Sequence, residues 1–388
     1  MKKLATTIIF IFVAGLVFAM NCLVLTRLNV DNEILPLSIP LPSAEMLFIN
    51  KQLVSMTLRQ KVASLLILHK SGSDVATLQN YLQVYQPGGL IFMGDNIPST
   101  TNDLTIITSQ LQTNPELPYL FAIDGEGGIV NRLPDDIYSA AADLKSQPTS
   151  ATESAFRGRS VLLKRFGINL NFGIVADVTD DSNSFIYQRA FGGDPVTVGE
   201  RVVSAVNGAN GLTLSTLKHF PGHGETESDS HTSIPVTDVS YERWQQQDEP
   251  PFVSGIKAGA QVVMFGHLIY SSVDSAPASL SAKWHQILKE RDNFESISIT
   301  DDMVMLQQSG DSNYADPVAN SISALQAGST MLLFVLDHGG DSNIDPNVLI
   351  DGIVAAVDNS TLSKTVINNN VRQVLTLRHN LPTMLTKI

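Results

Sequence analysis

LTLSTLKHF, Leu212–Phe220, is a short and largely apolar run that ends on a lysine and a histidine. A run of this length without a helical period suits a strand buried on both faces, as in a parallel sheet. Seven other runs have the same character. They are SLLILHK (Ser64–Lys70), GLIFMGDN (Gly89–Asn96), YLFAIDGE (Tyr119–Glu126), INLNFGIVADV (Ile168–Val178), AQVVMFGH (Ala260–His267), SISITDD (Ser296–Asp302) and STMLLFVLD (Ser329–Asp337). Segments with helical spacing lie between them, among them SVLLKRFG, GERVVSAVNGANG and NSISALQAGS. Eight β–α alternations predict an α/β fold, a (β/α)8 TIM-type barrel, whose chemistry sits at the C-terminal ends of the strands. The polar residues at those ends become the candidates: Asp124, Asp177, Lys218, His219, His267, Asp301 and Asp337.

The bulk composition agrees with one large globular unit. Of the 388 residues, 43% are hydrophobic and 16% charged, the balance of a chain with a sizeable core. A net charge of −13 and no basic stripe argue against nucleic acid as a partner, since phosphate neutralisation needs clustered Lys and Arg. The expected division is a hydrophobic segment over residues 1–27, a linker over 28–48 and a single catalytic domain over 49–388.

LATTIIFIFVAGLVFAMNCLVL, Leu4–Leu25, follows two lysines and carries no charge. Its length matches the roughly 20 residues of a membrane-crossing helix, with the lysines held in the cytoplasm and the body outside. A signal peptide cleaved after Val17-Phe18-Ala19 is the rival. Either way the body is expected to be extracytoplasmic. Cys22, the single cysteine, falls in this segment, so the body has no disulfide. Met20 and Asn21 make a poor lipid-attachment context for it. Leu28–Glu45 has three prolines and reads as a tether.

Beyond Leu212–Phe220 the chain continues as PGHGETESDSH, to His231. His219 and His223 have the i, i+4 spacing of helical metal ligands, but Phe220-Pro221-Gly222 lies between them, and proline costs a helix interior about 3 kcal/mol. No HExxH pattern, Rossmann glycine pattern or phosphate loop is present, and neither metal nor cofactor is expected. As acid–base machinery the stretch fits better. Lys218 and His219 end a strand, and Asp229 two residues before His231 can orient its imidazole for proton transfer. An ordinary polar loop would look the same from spacing alone. In SISITDDM, Asp301 follows the strand and is the candidate nucleophile or stabiliser. Asp302 is assigned to capping the next helix.

These residues also carry a family resemblance. KHFPGHGETESDSH closely resembles the signature of family 3 glycoside hydrolases in the β-N-acetylglucosaminidase (β-N-acetylhexosaminidase) branch, K-H-F-P-G-H-G-[D/N]-T followed by D-S-H. AIDGEGGIVNR, INLNFGIVADVTDDSNSFIYQRAFGGDP, APASLS and ITDDMVM look like four further motifs of that branch, in its order. The resemblance runs from about Met56 to the C-terminus. It implies a retaining mechanism, with Asp301 attacking the anomeric carbon and Asp229–His231 protonating the leaving oxygen and later activating water. It also implies sugar contacts at Asp124, Arg189, Lys218 and His219, and a loop-shaping role for His223. A terminal β-linked GlcNAc, as in peptidoglycan fragments, is the implied substrate, and a monomer is expected.

The sequence departs from the family pattern at three points. Ile129 stands where Arg is usual, Gly125 replaces Gln, and Thr330 replaces an Asp, with an expected loss of contact at the eighth strand end. Arg132 could contact substrate or form an ion pair. Three alternatives are compatible with the sequence: a glycoside phosphorylase, a β-glucosidase, or a wall-binding module whose catalysis has decayed. The Asp-Ser-His loop and the lack of room for a further domain count against the β-glucosidase.

Overall fold

The computed structural model describes residues 42–337 and 344–385. Eight parallel strands close on themselves. In chain order they are β1 Leu66–Leu68, β2 Gly89–Phe92, β3 Leu120–Ile123, β4 Leu170–Val175, β5 Leu214–Phe220, β6 Val262–Phe265, β7 Ile297–Asp302 and β8 Met331–Phe334. Each lies inside one of the eight apolar runs. The barrel closes where Leu66, Ile67 and Leu68 of β1 pair with Leu332, Leu333 and Phe334 of β8. Residues Leu47–Ile388 form one compact unit.

The strands are fully buried along almost their whole length, as expected of a parallel sheet wrapped by helices. Helices Thr149–Arg165, Pro195–Ala209 and Pro317–Ala327 occupy the segments read as helical. The last two begin with proline behind a capping aspartate, Asp194 and Asp316, whose side chains accept from backbone N–H groups of the first turn. Such a cap satisfies donors that a helix start leaves unpaired. Outside β5 and β6, Phe220 meets Trp244, Phe252, Phe265 and Trp284 in edge-on contacts with centroids 5.1–6.1 Å apart. Phe220 thereby fixes the outer face of the strand whose preceding residues face the barrel mouth.

Two expectations need correction. The linker expected over 28–48 ends earlier than proposed, because a helix spans Ala44–Ser55. Its first turn is capped by Ser43, which accepts from the Met46 N–H, a signal that the surrounding prolines obscured. Thr330 lies at the entrance of β8, before Met331, so its exchange for the family's Asp cannot touch the mouth. It pairs instead with Ser298 at the bottom of the barrel. The expected membrane or signal segment falls outside the described residues. Among the described residues no helix is long and apolar enough to cross a membrane.

Candidate active site

The C-terminal ends of β3, β4 and β5 converge on one charged network. Lys218, near the end of β5, is buried and reaches two carboxylates, Asp124 Oδ1 at 3.0 Å and Glu126 Oε1 at 2.6 Å. Arg189 donates to both oxygens of Glu126, at 2.9 and 2.7 Å. Burial alone would push Glu126 up, but Arg189 and Lys218 outweigh it and hold the carboxyl well below the usual carboxylate range. The same logic keeps Lys218 charged: burial disfavours the cation, while Asp124 and Glu126 more than offset it. Asp177 was among the strand-end candidates, whereas Glu126 was not singled out from the sequence. Glu126 lies two residues past the strand-end Asp124, and that proximity was the one local signal it carried.

Asp177, just past β4, is the fixed point for the next loop. It accepts from the His219 N–H at 3.1 Å and the His223 N–H at 2.8 Å, and contacts His219 Nδ1 at 2.7 Å. With Nδ1 donating to Asp177, His219 Nε2 is free to accept from Arg189, 3.2 Å away. His223 is buried and touches Thr226 Oγ1 through Nδ1 at 2.9 Å. Burial brings its pKa down to about 4, so it sits neutral at the root of the loop, in keeping with the shaping role expected of it. The loop then runs tight against the barrel. A Cβ on Gly224 would lie 1.9 Å from the Val178 carbonyl oxygen, so only glycine allows that approach.

Asp229 and His231 form the expected pair at the tip. Asp229 Oδ1 accepts from the His231 N–H at 2.9 Å and contacts Nδ1 at 2.7 Å. Both side chains are open to solvent, 42% and 59% exposed, so their placement depends on the loop. Asp301, the penultimate residue of β7, accepts from the Asp302 N–H at 2.8 Å. Burial opposes its charge, but His219, His267 and Lys218 prevail and hold its pKa at about 2. Asp302 was expected to cap the next helix, but Met303 holds the N-cap position of Val304–Gln308. Asp302 Oδ1 accepts from Val304 N at 3.1 Å and from Val335 N at 2.9 Å, tying β7 to the end of β8. His267 stands behind both, bonded to Ser279 and to the Asp302 carbonyl.

One cavity of about 740 Å³ gathers these ends. Asp124, Arg132, His231, Asp301 and Asp302 line it, with Met93, Met305 and Leu333 as an apolar side. Arg132 lies 3.6 Å from Asp124 and so both lines the cavity and pairs with a carboxylate. Lys218, His219 and Arg189 stand behind Asp124 and Glu126. Asp337 is not part of this group. It pairs with Lys70 at 2.7 Å, since β8 ends at Phe334 and the chain has turned away by then. Ile129 is 67% exposed, and Gly125 exchanges two hydrogen bonds with Asn171.

Comparisons with known proteins put this barrel among the glycosidases, enzymes that act on O-glycosyl bonds. More narrowly, the chain belongs to glycosyl hydrolase family 3, whose N-terminal domain model matches residues 57–377. A β-hexosaminidase of Psychromonas ingrahamii is 35% identical over 243 residues, 60% of this chain and 70% of that protein. Among solved structures, a family 3 β-N-acetylglucosaminidase from Paenibacillus sp. FPU-7 superposes with a TM-score of 0.76 at 26% identity. That match covers 84% of this chain and 64% of the other, so the chain spans less than two thirds of that relative. LpqI of M tuberculosis gives 0.74 at 25% identity, over 84% of this chain and 95% of that one.

Proposed function

We propose that the protein is a retaining exo-β-N-acetylglucosaminidase that removes terminal β-linked GlcNAc, with peptidoglycan fragments as the source. The observation that carries this reading is that His231 and Asp301 line one cavity with Asp124. The names of the relatives support the sugar. In the first step Asp301, ionised because its pKa is held near 2, attacks the anomeric carbon. His231 passes a proton to the departing glycosidic oxygen, and Asp229 fixes the imidazole through Nδ1 so that Nε2 carries the mobile proton. In the second step His231 takes a proton from water, which attacks the same carbon and releases Asp301. A histidine in this role avoids the mutual repulsion that two facing carboxylates would suffer. Asp124, Lys218, Arg189 and His219 supply donors and acceptors for the ring hydroxyls and the N-acetyl group. The enzyme works outside the cytoplasm, as a monomer held at the membrane through the segment before residue 28.

The test is turnover of aryl β-GlcNAc and aryl β-glucoside by wild type, Asp301→Ala and His231→Ala, with and without inorganic phosphate. The reading requires turnover of the GlcNAc substrate, its loss in Asp301→Ala, and GlcNAc rather than its 1-phosphate as product. Preference for the glucoside, full activity of Asp301→Ala, or release of the 1-phosphate would overturn it.

A further inference from the structure

The loop that carries His231 has an unusual dependence. Its Asp229 partner sits on the same loop and moves with it, so that contact sets the ring's tautomer but not its place over the cavity. Among the described residues, the ring contact His231 makes outside its own loop is with Phe185. The Phe185 centroid lies 5.9 Å from that of His231, with the planes at 62°. It lies 5.5 Å from the ring of His223, which is buried and tied to Asp177. The guanidinium of Arg189 stands 6.0 Å from the same centroid, and Glu126 holds that guanidinium by two bonds. The Phe185 backbone N–H also donates to the Thr226 carbonyl at 3.2 Å, joining the segment after β4 to the loop after β5. Phe185 thus has fixed neighbours on two sides and the exposed His231 on the third.

We propose that Phe185 is a positioning residue that docks His231 over the cavity, bridging it to the fixed root formed by His223 and Arg189. The proposal rests on the assignment of His231 as acid and base. An edge-on aromatic contact favours one ring placement by an amount that corresponds to a roughly three- to tenfold shift in the docked population. The contribution is to proton transfer, because Phe185 does not itself line the cavity and reaches it through the ring of His231.

The experiment measures kcat and kcat/KM across aryl β-GlcNAc substrates of graded leaving-group pKa, for wild type, His231→Ala, Phe185→Ala, Phe185→Leu and Phe185→Tyr. For Phe185→Ala, kcat/KM should fall roughly three- to tenfold on poor leaving groups and stay unchanged on dinitrophenyl GlcNAc, which needs no acid. On that activated substrate kcat should fall instead, because the second step still needs the base. Phe185→Tyr should restore wild-type behaviour, and Phe185→Leu should follow Phe185→Ala. The leucine variant keeps the site filled, so it reads the ring's role if the alanine variant does not fold. An equal loss on all leaving groups, no loss, or full activity in Phe185→Leu would overturn the proposal while His231→Ala retains its own leaving-group dependence. If His231→Ala lacks that dependence, the acid–base assignment fails and the proposal falls with it.

Discussion

Replacing Glu126 by glutamine keeps its shape, removes its charge and leaves Arg189 and Lys218 facing an amide. Both cations are largely withdrawn from water, with side chains 11% and 3% exposed. Taking one partner from a buried ion pair costs about 3–5 kcal/mol, because the remaining charge stays desolvated. Asp124 still lies 3.0 Å from Lys218, which favours the lower half of that range. For a unit the size of Leu47–Ile388, an unfolding entropy of about 2.1 cal/mol/K per residue turns the cost into a Tm drop of about 4–7 °C. The pH dependence has a definite sign. Glu126 is held below its unfolded value, so its contribution is complete above the unfolded pKa and is lost as pH falls toward the folded one. Circular-dichroism melts of wild type and Glu126→Gln should therefore differ most near pH 7 and converge below about pH 4.5. A Tm within about 1 °C of wild type at pH 7, or a gap that widens on acidification, would refute the reasoning.

Three further outcomes follow from other parts of the site. Asp248 is buried against Gly222, and burial, reinforced by Glu225, pushes its carboxyl well above the usual range. Wild type should then lose stability, relative to Asp248→Asn, by up to about 1.4 kcal/mol per pH unit as pH rises above the unfolded carboxyl value, and parallel denaturation curves would contradict this. The acid limb of kcat/KM on an activated aryl substrate should lie below about pH 3, since Asp301 is held near 2. Lys218→Met removes one of the charges responsible and should move that limb to higher pH, whereas an unmoved limb would dissociate the two residues. Gly224→Ala places a Cβ 1.9 Å from the Val178 carbonyl; the overpacking should cost about 1–3 kcal/mol by urea titration, with kcat falling further on poor leaving groups than on activated ones.

The barrel was legible because its strands announce themselves twice, as buried apolar runs and as runs that stop on a polar residue. Lys218 and His219 could be placed at the mouth from Leu212–Phe220 alone. What the strand rule could not supply was distance across the barrel. Glu126 and Asp177 gain their meaning from partners 63 and 42 residues away, which no local pattern encodes. Asp337 shows the opposite error: it follows an apolar run, but the strand stops at Phe334 and the backbone turns through a positive φ of 56° at Asp337. Thr330 was misplaced by the same uncertainty at the other end of that strand. Phe185 left no signal at all, since a phenylalanine in a polar loop gives no hint of an imidazole 46 residues on.

The most direct test of the catalytic account is to trap the sugar on the enzyme. Intact-mass and peptide mapping after incubation with a 5-fluoro β-GlcNAc fluoride should find one glycosyl adduct, on the peptide that contains Asp301, and none in Asp301→Ala. An adduct on another residue, or turnover of the reagent with no adduct and release of the α-anomer first, would contradict a retaining mechanism through Asp301.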